Sequence, residues 1–517
     1  MDSVKVIWPQ TYEQKAAVFA LVGGLLTALF YVGGLWSLPG HTALFIALAL
    51  PVFCIGLLLI RHIRFAITLV VIYAPVEIFV QKWLPPGLDL VSRYATEALL
   101  VGLFLAVFAE RLLNGKPWRR TPLDLPLFLF VVIGIVSAVV NQLPVIVLLM
   151  GLRITLRYLL LYYLVVQVGF NRQQVKKLLL ALLVMAALVM VVGLLQAIIG
   201  PPMNRFLHIP DIMFGDTATR AISGFAAGHG RYIFSTLGRY DAFGIYAVYI
   251  LLITLAYVFH HRRRHTAWTW LIVATLICLA LTLSRQAWLA LYITLWVWAI
   301  IGKKKWAIYV LFVLFVIPAA ILLIALSFPD WVRYYGSANV GELTVITRIL
   351  DAFSAGYLRV SSGSGGRLFV LRHVSERILE LVPWLGFGPG RFGTITAQYF
   401  GYSDAELLGM TQGDVYLVFD VNWVTLLGQY GSLGLLAFLF VFWRAWRRTR
   451  WLYRHATDSL SRSIALATVG IIPAFMVLAF FGPNFEQRIV AMYAWLMIAL
   501  VVTLSQHTET YEYSHRQ

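Results

Sequence analysis

The stretch LLLALLVMAALVMVVGLLQAII, Leu178–Ile199, decides the fold class. It is apolar throughout except for Gln196, and its length matches the ~17–25 residues that cross a hydrocarbon core. Arg172, Lys176 and Lys177 stand just before it, and Gly200 with two prolines just after. No alternation of apolar and polar residues interrupts it, so a barrel strand is excluded. Because lipid cannot satisfy backbone N–H and C=O groups, the run must be a helix.

Reading outward, similar runs recur along the whole chain. They are Ala16 to Trp36, Ala43 to Ile60, Phe65 to Val80, Ala95 to Leu113, Leu125 to Val140 and Val145 to Val168 on one side. On the other are Ala242 to Phe259, Ala267 to Leu283, Ala287 to Ile301, Trp306 to Leu326, Trp423 to Trp443, Ile464 to Phe481 and Ile489 to Leu504. The expectation is an all-α polytopic membrane protein of about fourteen transmembrane helices, the first retained rather than cleaved as a signal peptide. Composition agrees: 61% of the 517 residues are hydrophobic, 15% aromatic and only 12% charged, with a mean hydropathy of +0.81. Soluble domains carry about 25% charged residues. A water-soluble enzyme, a disordered tail protein and a nucleic-acid binder are thereby excluded. The two cysteines, Cys54 and Cys278, lie in separate apolar runs and supply neither a disulfide framework nor a zinc site.

The formal net charge of +18 has a location. Alternate loops hold Arg61 and Arg64; Arg111, Lys116, Arg119 and Arg120; Arg172, Lys176 and Lys177; Arg262, Arg263 and Arg264; Lys303, Lys304 and Lys305; and the arginines from Arg444 to Arg462. About half of the Lys and Arg thus fall on one face, which the positive-inside rule makes cytoplasmic, together with both termini. Membrane blocks 1–199, 242–326 and 423–517 are then separated by two external loops, 200–241 and 327–422. The second carries Trp331, Tyr334, Tyr335, Leu368, Phe369, Leu379 and Trp384, a composition suited to short amphipathic helices on the membrane surface.

Several polar side chains stand at the external ends of helices. Arg231, Arg239 and Asp241 precede or open one run, either as interfacial anchors or as ligands. Arg285 marks a tight external turn, where it either caps a helix or snorkels. Arg153 and Arg157 are spaced i, i+4 inside an apolar run, where charge is expensive; they either bind a ligand or pair with Glu77 or Glu97. Arg367 follows a Gly/Ser-rich hinge. The segment Pro383 to Gly393 is glycine-rich but fits neither a P-loop nor a dinucleotide turn. Asp420 stands at the external start of a helix, where an acid can simply complement the N-terminus. Fixed cations facing one cavity stabilise an anionic leaving group such as pyrophosphate, and a carboxylate can take the proton of an attacking hydroxyl. The same set would serve an anion transporter.

The ordered elements Gly238-Arg-Tyr-Asp-Ala-Phe-Gly244, Leu281-Thr-Leu-Ser-Arg-Gln-Ala-Trp288, Gly366-Arg367, Leu385-Gly-Phe-Gly-Pro-Gly-Arg-Phe-Gly393 and Asp420 to Gly434 resemble the O-antigen ligase and polymerase family over roughly 200–440. The resemblance implies a metal-independent, cofactor-free glycosyltransferase of the bacterial inner membrane. Its active site would face the periplasm and its donor would be an undecaprenyl-pyrophosphate-linked glycan. It implies catalytic roles for Asp420, Arg367 and Arg231, with Arg285, Arg239 and Asn422 in substrate binding; Arg153 and Arg157, outside the stretch it covers, are substrate-binding candidates on their spacing alone. The acidic pair Asp404 and Glu406 is expected to be a solvated loop rather than a metal site. Ligases of the family are expected to carry a His-Asn pair where this chain has Asp420 and Val421, with Asn422 one step late. Polymerases more often carry an acid there, so polymerisation of repeat units is favoured. The alternatives are ligation to a lipid A core or another acceptor, a related peptidoglycan-type polymerase, and a solute or anion transporter.

Overall fold

The computed structural model describes residues 62–83, 88–208, 213–214, 217–218, 232–261, 266–303, 308–313, 361–363, 366–402, 408–410 and 418–514. In chain order the principal helices are α1 (Ile63–Gln81), α2 (Leu88–Leu113), α3 (Asp124–Val140), α4 (Val145–Leu156), α5 (Leu159–Val168), α6 (Arg172–Ile199) and α7 (Pro201–Leu207). They continue as α8 (Tyr240–His260), α9 (Thr266–Leu281), α10 (Arg285–Ile301), α11 (Ser375–Leu381), α12 (Ile395–Tyr399), α13 (Asn422–His455), α14 (Ser459–Leu478) and α15 (Arg488–Ser514). One two-residue antiparallel pair, Met213–Phe214 with Thr217–Ala218, is the only ladder among the described residues.

Six of these helices, α1, α6, α8, α13, α14 and α15, are long and apolar enough to cross a membrane, or seven if the bent pair α4–α5 is one span. The protein is therefore a membrane-embedded helical bundle. The fourteen expected spans are not all represented: Ala16 to Trp36, Ala43 to Ile60 and most of Trp306 to Leu326 lie outside the described residues. Helices α3, α9 and α10 are apolar but shorter.

Helix boundaries follow local chemistry. Asn171 caps α6 by accepting from the Gln174 amide at 2.9 Å, while Gln174 Oε1 accepts from the Asn171 amide at 3.0 Å. This reciprocal box satisfies two of the donors a helix start leaves open. Asp458 caps α14 by accepting from the Ser461 amide, without the reciprocal bond. The bundle is arranged around α15, which packs on α5, α13 and α14 and is apolar on every side because protein surrounds it. Helix α6 instead leaves Leu180, Val184, Leu188, Val191, Leu195 and Ile198 exposed along one stripe, the face a lipid contact requires.

The bundle has two chemically distinct ends. At one, Arg111 and Arg119 bond to Gln167, Arg172 pairs with Asp458, Arg444 Nε donates to the Pro122 carbonyl, and Arg448 pairs with Glu509. Three of the loops expected on one face, those of Arg111 to Arg120, Arg172 to Lys177 and Arg444 to Arg462, thus come together. The other end holds Asp241, Asp420, Asn422 and Glu486.

Two expectations are corrected. The run Val145 to Val168 is not one straight helix but bends by 61° between α4 and α5, at Arg157 and Tyr158. Neither Pro nor Gly is responsible. The break coincides with Arg157 turning toward Glu97 while its guanidinium carbon sits 4.7 Å over the buried Tyr158 ring. The second loop does form short helices, but they do not simply lie on a membrane surface. Val370, Val374 and Ile378 point inward onto Phe387, Phe392, Val421 and Leu427, while Leu368, Leu379, Leu381 and Trp384 stay exposed.

Candidate active site

The polar end of the bundle contains two adjoining clusters. In the first, the helical turn opening at Arg367 brings its Nη2 to 3.4 Å from Asp420 Oδ2, two residues before α13. Both side chains are 38% exposed, so a substrate can reach them. Arg239, just before α8, forms a two-pronged pair with Asp241: Nε to Oδ1 at 3.0 Å and Nη2 to Oδ2 at 2.8 Å. Gln286 Nε2 donates to the same carboxylate at 3.4 Å, which ties the start of α10, and with it Arg285, to the start of α8. Burial opposes the charge of Arg239 most strongly, yet Asp241 and, more distantly, Asp420 raise its pKa above the usual guanidinium value. Three guanidiniums, Arg367, Arg239 and Arg285, therefore stand with two carboxylates at one end of the bundle. Arg367, 38% exposed, can meet a phosphorylated ligand, and the fork of Arg suits bidentate contact with it. Arg231, Asp404 and Glu406 lie outside the described residues.

In the second cluster every charge is turned inward. Arg153 holds Glu97 Oε2 through Nε at 2.9 Å and Nη2 at 2.5 Å, and Arg157 Nη1 holds Oε1 at 2.8 Å. Arg488, the first residue of α15, pairs with Glu77 and lies 3.9 Å from Glu97. Thr96 Oγ1 also donates to Glu77 at 2.7 Å. Of the two roles weighed for Arg153 and Arg157, the geometry is that of an internal pair with Glu97. Asn422 is 1% exposed and its amide faces protein: Oδ1 accepts from the Phe485 amide at 2.8 Å, and Nδ2 is 3.5 Å from Glu486 Oε1. It clamps the loop between α14 and α15 to the start of α13, the place where the resemblance implied a substrate contact.

The glycine segment also has a structural task. Phe387 and Gly388 donate their amides to the Gly428 and Gln429 carbonyls at 2.7 and 3.0 Å, and the Gly390 amide donates to Gln429 Oε1 at 2.8 Å. These N–H groups are spent on protein and form no phosphate cradle. Gly431 has φ +65° and ψ −171° within α13, and a Cβ there would stand 2.3 Å from the Trp384 backbone. The strap docks into that kink and fixes Asp420 and Asn422 relative to it.

Sequence reasoning assigned no role to Gln286, Arg488 or Glu486, and it did not pair Asp241 with Arg239. The signal for Arg488 was a lone cation at the external start of a long apolar helix; Glu486 looked like an ordinary loop acid. Burial lifts the Glu486 carboxyl to about 7 from an ordinary 4.5, with Arg157 and the Asn422 amide pulling the other way. Tyr430, whose hydroxyl donates to Thr155 Oγ1 at 3.3 Å, is a further neighbour within its electrostatic reach. The folded state thus keeps a proton that the unfolded chain loses. Its contribution to stability is complete below pH 4.5 and falls away as pH rises to about 7, by about 3 kcal/mol. Glu486→Gln, which keeps the Asn422 contact without a titrating proton, is expected to remove that decline. Thermal midpoints of both proteins between pH 5 and pH 8 test this; an unchanged difference between the two pH values would refute it.

A comparison with models of known protein families returns no match for this chain, and a comparison with curated protein sequences returns none either.

Proposed function

We propose that this protein is a membrane glycosyltransferase that joins lipid-pyrophosphate-linked glycan units, with polymerisation favoured over ligation. The observation that carries the reading is the meeting of Arg367 and Asp420, 53 residues apart in sequence, half-exposed and beside the Arg239–Asp241 pair. An acceptor hydroxyl attacks the anomeric carbon of the donor sugar. The new C–O bond forms as the bond to the pyrophosphate oxygen breaks, with inversion. Asp420 takes the hydroxyl proton, and the guanidiniums of Arg367, Arg239 and Arg285 receive the charge that develops on the departing lipid pyrophosphate. Arg231 joins them in this scheme. An undecaprenyl chain would lie along the apolar outer helices, in a bacterial inner membrane with this end of the bundle outside.

Reconstituting the purified protein in vesicles with an undecaprenyl-pyrophosphate oligosaccharide and sizing the products on a gel tests the reading. A ladder of repeats is the expected result. A single shifted band with an added lipid A core would indicate ligation, and no product with either acceptor would refute transfer. A second reading, anion transport, draws on the broken span α4–α5 and its two half-buried arginines. Against it, Glu97 already occupies both of those guanidiniums.

A further inference from the structure

Helix α13 kinks at Gly431, and the stretch from there to His455 runs for about 36 Å, longer than a ~30 Å hydrocarbon core by about one helical turn. Along it, Leu433, Leu436, Phe440, Trp443, Arg447, Arg450 and Arg454 follow one another at steps of three and four, so they form a single stripe. The stripe changes character once. Its first four residues are apolar, with Leu433 41%, Leu436 62% and Trp443 48% exposed; its last three are arginines, of which Arg447 and Arg454 are exposed. The change occurs at an aromatic stack: Phe440 lies 5.5 Å from Trp443 at 28°, and the Arg447 guanidinium sits 4.8 Å over the Trp443 ring. Aromatic rings mark the headgroup depth of a bilayer, and guanidiniums just beyond them stand at the level of the phosphates. The neighbouring surface continues the pattern. Leu125 and Phe128 of α3 are exposed, Arg120 precedes them, and Arg444 Nε donates to the Pro122 carbonyl at 3.2 Å. Two acids at this end are already engaged, Glu509 with Arg448 and Asp458 with Arg172. Among the described residues no carboxylate pairs with Arg447, Arg450 or Arg454.

We infer that this stripe is a docking surface for acidic phospholipid: acyl chains along Leu433 to Trp443, and anionic headgroups held by Arg447, Arg450 and Arg454. The partner is the leaflet at the basic end of the bundle, opposite the candidate active site, and the inference stands independently of glycosyl transfer. Exposed arginines on an anionic surface each contribute roughly fivefold in preference. Full-length protein in mixed micelles with equal phosphatidylglycerol and phosphatidylcholine should therefore retain phosphatidylglycerol over phosphatidylcholine by roughly tenfold or more, counted by native mass spectrometry. The variant Arg447→Gln/Arg450→Gln/Arg454→Gln should fall close to parity. Arg372→Gln, which removes a cation 86% exposed at the other end, should keep the wild-type preference. An equal loss in Arg372→Gln, or an undiminished preference in the triple variant, would overturn the inference. Should the triple variant misfold, wild type still decides it: raising salt from ~0.05 to ~0.5 M must collapse a preference of this origin, and a salt-insensitive one counts against it.

Discussion

Glu97→Ala is expected to cost about 3–5 kcal/mol, the largest stability loss of any single change in the polar half of the bundle. The reason lies in what the substitution leaves behind. Arg153 and Arg157 project from the bent pair α4–α5 and are only 30% and 21% exposed; Glu97 accepts from both, and Arg488 approaches it as a third cation. Removing the acid leaves these guanidiniums facing one another in a medium that screens them poorly. Glu77 cannot take over, because it is fully buried and already holds Arg488 and Thr96. Glu97→Gln, which keeps one acceptor oxygen but no charge, should fall between wild type and alanine, and adding Arg153→Met to it should recover part of the loss by deleting a stranded cation. Thermal midpoints in detergent provide the comparison. A Glu97→Ala protein that melts with wild type would show that the ionic cluster does not hold the bend.

The same cluster shows how far the sequence could be read. Apolar length and the placement of Lys and Arg made the helices and the basic end legible, because the membrane imposes one rule on every span and side chains obey it locally. The ordered motifs also brought Arg367 and Asp420 to the same external loop, where the structure has them in contact. Partner choice was not legible. Glu77 and Glu97 are equally plausible partners for Arg153 in a linear chain, and which one is met depends on the rotation of α2 against α4. The bend at Arg157 had no local signal, since no Pro or Gly stands there and what coincides with it is a tertiary ion pair. Asn422 and Glu486 were opaque for a related reason: a polar residue at a helix mouth reads alike whether it faces solvent or a neighbouring loop 64 residues away.

Asp420→Ala should reduce transfer by roughly 10²–10⁴-fold, the scale on which a positioned acid–base group acts, with little change in thermal stability. The two readouts separate because Asp420 is half-exposed and the cation it meets among the described residues, Arg367 at 3.4 Å, is exposed to the same degree, so breaking the pair strands no buried charge. Asp420→Asn sharpens the test. It preserves size and a hydrogen bond to Arg367 but accepts no proton, so a role in deprotonating the acceptor predicts a loss as deep as that of alanine, whereas a role in merely orienting Arg367 predicts substantial retention. Arg367→Ala should act elsewhere in the cycle. It removes a cation from the donor side, so donor affinity should drop while the chemical step with saturating donor is less affected, and Arg367→Lys should restore part of that affinity because charge is kept although the fork is lost. Single-turnover assays with a labelled lipid-linked oligosaccharide measure both quantities. Full transfer by Asp420→Ala would remove the acid from the mechanism, and unchanged donor affinity in Arg367→Ala would remove the cation. In that event the Arg239–Asp241 pair, bridged to α10 by Gln286, becomes the place where the reacting groups must be sought.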